Sequence, residues 1–141
     1  MVNPELAALE ELVIGAVAVT EGAIAVAGSD LTFVQWRVIM IVGERSDGET
    51  IGEIAGRLGA RVSPASRLIS RLRRRGVVRT DKDPSDARVT RVQLTESGDA
   101  LRTRVLVARR ERLSAAIAEV GLDPESASAI RSLARALERH A

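Results

Sequence analysis

The 141-residue sequence contains no cysteine, no tyrosine, one histidine, one tryptophan and one phenylalanine. Without cysteine there is no disulfide framework, no thiolate metal site and no thiol redox sensor. The only histidine, His140, stands next to the end, so a histidine metal site or a Ser–His–acid triad lacks its materials. Helical spacing brings no isolated carboxylate pair onto an apolar face, and no glycine-rich loop of the Walker type is present. Neither an enzyme nor a cofactor is therefore expected. Long apolar runs are missing too. Leu12–Val19 is short and Glu21 interrupts the apolar stretch after it, whereas a membrane-spanning helix needs roughly 20 apolar residues. Glu5, Glu10 and Glu11 stand where a targeting segment would carry basic residues, so a cytoplasmic protein without membrane contact is expected.

What is present is a folding chain of about one domain's size, with 45% hydrophobic residues. Its core has to be built from Ala, Val, Leu and Ile. The net charge is only +2, but it is unevenly placed. Residues 61–94 carry ten basic and three acidic side chains, and the rest of the chain carries eleven basic and sixteen acidic. A field that stays positive over one patch points to a polyanionic partner there.

Start and stop signals divide the chain into helices. Asn3-Pro4 opens the first, which the spacing of Leu6, Leu9, Val13, Ala16 and Val17 carries to about Ala27. Its second half is apolar nearly all round, which suggests a partner surface. Thr32 and Gln35 have capping-box spacing, and a second helix runs from there through Trp36 and Ile39 to about Gly43. Thr50 and Glu53 repeat that spacing before a short third helix with Ile51, Ile54, Ala55 and Leu58 on one face, ended by Gly59. Ser63 is the expected cap of a fourth helix, with Pro64 in its first turn and its end at Gly76. The period then changes. Val77–Thr80 and Thr90–Leu94 read as two strands joined by a charged turn around Asp83-Pro84-Ser85-Asp86. Thr95 can cap a long fifth helix, although Gly98 weakens its first turn. Asp123-Pro124 opens a sixth, with Ile130, Leu133, Ala134 and Leu137 expected to face inward.

Short helix, tight turn, basic helix and hairpin is the plan of a winged helix-turn-helix. The fold class expected is mostly α: a DNA-binding lobe over 31–98, flanked by dimerisation helices at 1–30 and 99–141. In the fourth helix Ala65, Leu68, Ile69 and Leu72 form the inner stripe, leaving Ser66, Arg67, Ser70, Arg71 and Arg74 outside. A helix with that front suits the major groove of double-stranded DNA, where arginine reads guanine edges. Arg67, Ser70 and Arg71 are the expected base contacts. Ser63 and Ser66 lie near the helix start, where free N–H groups favour a phosphate. Arg61, Arg73, Arg74 and Arg75 are expected at phosphates or in solvent, and Thr50 near the DNA backbone as well as capping. In the hairpin, Lys82, Arg88 and Arg91 are the basic groups, and Lys82 and Arg91 are expected at DNA phosphates. Asp86 is expected to orient Arg88 toward the minor groove through a charge-assisted bond.

These residues resemble the MarR family of bacterial transcriptional regulators. The resemblance is carried by Leu68–Val78, by Asp83-Pro84-Ser85-Asp86-Ala87-Arg88, by Leu94-Thr95-x-x-Gly98, and by Leu31-Thr32-x-x-Gln35-Trp36-Arg37 in the second helix. It implies a homodimer joined by the first, fifth and sixth helices, a palindromic operator, repression, and release by a small effector. The Asp86–Arg88 pair matches the family's wing pair. An effector pocket between the dimer helices and the DNA-binding lobe would be lined here by Phe33, Trp36, Arg37 and Met40. Arg37 draws notice because a buried arginine wants an anion. Members that sense oxidants or zinc rely on Cys and His ligands that this chain lacks. Helix-turn-helix modules also work as symmetric pairs on general grounds. Two other readings use the same residues: a low-specificity architectural DNA binder, and a module that meets an acidic protein.

Overall fold

The computed structural model describes every residue except Val2. Its elements are α1 (Pro4–Val26), α2 (Phe33–Val42), β1 (Glu49–Thr50), α3 (Ile51–Leu58), α4 (Val62–Arg74), β2 (Val78–Lys82), β3 (Thr90–Leu94), α5 (Glu96–Val120) and α6 (Pro124–His140). The chain divides into two compact units, Met1–Arg109 and Arg110–Ala141, with the division inside α5.

The helix starts form as their capping residues dictate. Asn3 Oδ1 accepts from the Glu5 and Leu6 N–H groups, with Pro4 in the first turn. Thr32 and Gln35 close a reciprocal capping box at α2, and Thr50 and Glu53 close another at α3. Gly59 ends α3 in the left-handed conformation, at φ 63°, which costs a residue without Cβ little. One expectation fails here. The cap of α4 is Arg61, not Ser63, and it makes no side-chain capping bond. The Ala65 N–H reaches the Arg61 carbonyl at 3.2 Å, so Ser63 and Pro64 already lie inside the first turn. Proline is tolerated there because first-turn N–H groups have no intrahelical acceptor to lose.

The sheet has three strands, not the two of a simple hairpin. Its order is β1-β3-β2, all antiparallel. The added strand is only Glu49–Thr50, paired with Val92 and Arg91, too short to leave a periodic trace in the sequence. Thr95 caps α5, its Oγ1 accepting from the Gly98 N–H at 3.0 Å and donating to the Gly76 carbonyl, with the Val77 carbonyl further off at 3.2 Å. Gly98 is there for space: a Cβ would lie 2.0 Å from the Val77 carbonyl oxygen.

The core of the first unit joins every one of its layers. Ala23 and Ile24 of α1, Trp36, Val38 and Ile39 of α2, Ile54 of α3 and Leu72 of α4 meet Val78 and Val92 of the sheet and Val105 of α5. Each fully buried Val, Leu or Ile contributes about 1.5–3 kcal/mol. This apolar mass holds the inner face of α4 against the rest of the lobe. In the second unit no residue is buried. Ile130, Leu133 and Leu137, expected inward, are 42%, 37% and 43% exposed. One stretch of α5 and α6 alone offer too little surface to cover that stripe. In the first unit Leu6, Leu12, Val13 and Ile14 of α1 are likewise exposed. None of the described helices is long and apolar enough to cross a membrane.

Candidate nucleic-acid interface

Helix α4 sorts its residues by face as its period demands. Ala65, Ile69 and Leu72 are buried, and Leu68 packs partly against the core. Ser66 and Ser70 are half-buried, while Ser63, Arg67, Arg71 and Arg74 are exposed. Arg67, Arg71 and Arg74 recur at helical spacing along one outer stripe. None of them enters an ion pair among the described residues. Three uncommitted guanidinium groups on a helix held from behind by core packing can meet a polyanion without first breaking anything.

Other arginines are spent inside the protein. Arg73 Nη1 donates to Thr80 Oγ1 at 3.3 Å, tying α4 to β2. Arg75, at the end of α4, pairs with Asp30 in the α1–α2 connection. Both stand among the arginines expected at phosphates or in solvent. Their partners lie 7 and 45 residues away, and no local pattern marks them.

The wing resolves the three aspartates of the hairpin, because each faces an arginine. Asp81 lies 3.6 Å from Arg79. Asp86 takes Arg88 in a two-pronged pair, at 3.1 Å from Nε and 3.2 Å from Nη2, and its oxygen also accepts the Arg88 N–H. These bonds hold the Asp86 carboxyl below the usual carboxylate range. Arg88 remains 92% exposed at the tip. Asp83, by contrast, is buried. It accepts the Ser85 N–H at 2.8 Å, the Ser85 hydroxyl and the Arg91 Nε, which hold its carboxyl far below the usual range. Arg91 also donates to the Gly48 carbonyl at 3.3 Å. Its guanidinium is thus committed to the wing's root, while Lys82, beside Thr90 at 3.4 Å, stays exposed. Thr50 serves as the α3 cap and is half-buried, and Arg61 is exposed at the start of α4.

Apart from these residues, the first unit has an open cleft of about 400 Å³. It brings together all four residues named for an effector pocket, Phe33, Trp36, Arg37 and Met40, with Thr20, Ile41, Glu44, Arg57 and Arg109. Trp36 is buried. Arg37 is not, contrary to expectation. It is exposed, and its Nη2 donates to the Arg57 carbonyl at 3.0 Å. Arg57 and Glu44 form a two-pronged pair at 2.7 and 2.9 Å, which the sequence did not mark. That pair holds the Glu44 carboxyl below its ordinary range. Among the described residues, no cluster of His, Cys, Asp and Glu has the arrangement to hold a metal ion.

Known proteins are similar to this chain. Residues 31–98 match the family described as a winged helix DNA-binding domain. The HTH-type transcriptional repressor IacR of Pseudomonas putida is 36% identical over 69 residues, 49% of this chain. The matched stretch spans only 41% of that relative's own length. Among solved structures, wild-type MarR of E. coli superposes with a TM-score of 0.75 at 18% identity, covering 97% of this chain and 98% of its own. CouR of Rhodococcus jostii RHA1, solved bound to p-coumaroyl-CoA, superposes with a TM-score of 0.73 at 22% identity, covering 92% and 88%. Residues 31–98 of this chain match the winged helix DNA-binding domain family, and the chain as a whole carries the fold seen in solved MarR-family structures.

Proposed function

We propose that the chain is one subunit of a homodimeric transcriptional regulator that binds palindromic operator DNA, acts as a repressor, and is released by a small ligand. The observation that carries the reading is the face of α4. Arg67, Arg71 and Arg74 stand exposed and in no ion pair among the described residues, opposite the buried Ala65, Ile69 and Leu72. Arg67, Ser70 and Arg71 read bases, while Ser63, Ser66, Arg61, Arg74 and Lys82 meet phosphates. Arg88, aimed by Asp86, enters the minor groove, and Thr50 approaches the backbone. Arg91 supports the wing from within. Repression is supported by the likeness to IacR over the winged helix.

The dimer is supported by the uncovered apolar residues of α1 and of α6, two surfaces that a second copy would bury. The effector is supported by the cleft. Its three arginines against one glutamate, beside Phe33, Trp36 and Met40, suit an organic anion with an apolar body. CouR, which has the same fold, holds p-coumaroyl-CoA. Selection of bound sequences from a random DNA library tests the reading. A symmetric motif with two spaced half-sites is the expected result. Binding of all sequences alike would make it an architectural DNA binder, and no binding at any salt would leave only a protein-interaction module. Light scattering at micromolar concentration is expected to give the mass of two chains, and a monomer there would overturn the dimer.

A further inference from the structure

Glu44 is a wall common to two clefts. On one side is the Trp36 cleft, with Arg37, Arg57 and Arg109. On the other, a second cleft of about 530 Å³ opens beside Gly43, Arg45 and Asp99. Glu44 grips Arg57 of α3. Its other cationic neighbour is Arg102 of α5, whose charge adds to that of Arg57 in holding the carboxyl low. Arg102 passes tightly under Gly43, where a Cβ would lie 2.6 Å from its Nε. That Nε is buried and has no hydrogen-bond partner. Glu44 therefore has two cationic neighbours: Arg57, which it holds, and Arg102, whose buried Nε–H has no acceptor. A buried N–H without an acceptor is costly, so a rotation that supplied one would be favoured.

We propose that Glu44 is an exchange arm: an organic anion seated in the Trp36 cleft takes Arg57, and Glu44 passes to Arg102. The proposal rests on the cleft taking an anionic effector, and it adds how occupancy reaches the DNA-binding face. Arg57 lies in the last turn of α3, and only Gly59, Ala60 and Arg61 separate that helix from α4. While Glu44 holds Arg57, the connection after α2 is tied to the end of α3 and hence to the entry to α4, beside the bond from Arg37 of α2 to the Arg57 carbonyl. Once an anion substitutes for Glu44, that tie runs through the ligand instead. Arg57 and Glu44 each exchange one counter-ion for another, and the charge of the incoming anion balances that of Arg102, which had none before.

The test is calorimetric titration of the intact protein with benzoate, with benzamide as the uncharged control. It covers the wild type, Glu44→Gln, Arg102→Gln and the double variant. The Glu44 side chain is 49% exposed, so Gln is accommodated without repacking. Benzoate is expected to bind where benzamide does not. Glu44→Gln removes a competing surface ion pair and should tighten benzoate about threefold to fivefold. Arg102→Gln should weaken benzoate in the wild-type background and change nothing once Glu44 is Gln. An equal factor for Arg102→Gln in both backgrounds overturns the exchange, as does unchanged affinity in Glu44→Gln or no benzoate binding to either protein. Selection from the DNA library is scored separately. A symmetric operator motif together with a failed benzoate series sinks the exchange and leaves the regulator standing, whereas absent DNA binding sinks the regulator whatever benzoate does.

Discussion

Asp86 and Arg88 form a closed ring at the wing tip: one carboxylate accepts the backbone N–H of Arg88 at 3.0 Å, its Nε at 3.1 Å and its Nη2 at 3.2 Å. The arginine is pre-aimed yet almost wholly in solvent. Asp86→Ala should therefore leave the melting temperature nearly unchanged while weakening operator binding almost as much as Arg88→Ala. The double variant should be no weaker than Arg88→Ala alone. Additive losses in a fluorescence-anisotropy titration would show that Asp86 acts by some means other than positioning Arg88.

Arg71→Ala should cost about 1–3 kcal/mol on the selected operator and relax preference at one base position. Equal loss on operator and random DNA would remove Arg71 from base reading. Lys82→Ala should instead weaken both DNAs alike and flatten the salt dependence by about one unit of slope.

Two buried wing-root carboxylates should respond to pH in opposite senses. Burial, and after it the hydrogen bond and charge of Glu53, raises the Glu49 carboxyl above its ordinary value of 4.5. The folded protein then holds that proton more tightly than the unfolded chain, so stability falls as pH rises from about that value through the folded one. Glu49→Gln should raise the melting temperature by a few degrees at pH 7 and lose this gain toward pH 4. Asp83 is lowered by Ser85 and then Arg91. Its carboxylate stabilises the fold above the ordinary aspartate range, and the gain fades as pH falls below it. Asp83→Asn should thus be destabilising at pH 7 and nearly neutral in strong acid. Melting curves from strong acid to pH 8 check both signs.

Gly98→Ala should destabilise the first unit by about 1–3 kcal/mol, because the new methyl meets a backbone carbonyl that cannot rotate away. Urea unfolding measures this. A neutral result would mean that the β2–α5 corner shifts freely.

Much of the lobe was legible from residues close in sequence. Capping boxes at Thr32 and Thr50, the glycine after α3 and the apolar stripe of α4 are all short-range signals. So is the Asp86–Arg88 pair, two residues apart. Residues that meet across the fold left no such trace. Arg91 read as one more phosphate-seeking cation, but Asp83 and Gly48 claim it. Arg75 read the same way, and Asp30, 45 residues earlier, holds it. Gly98 read as a weak helix former, although its reason is the Val77 carbonyl pressing on it.

The sequence alone determined where helices begin and end and which face of α4 is basic, because capping and hydrophobic period act within a few residues. Only the tertiary structure decided which arginines remain free for a partner. A guanidinium is committed by whatever acceptor the fold brings within about 3 Å, and that acceptor can come from anywhere in the chain.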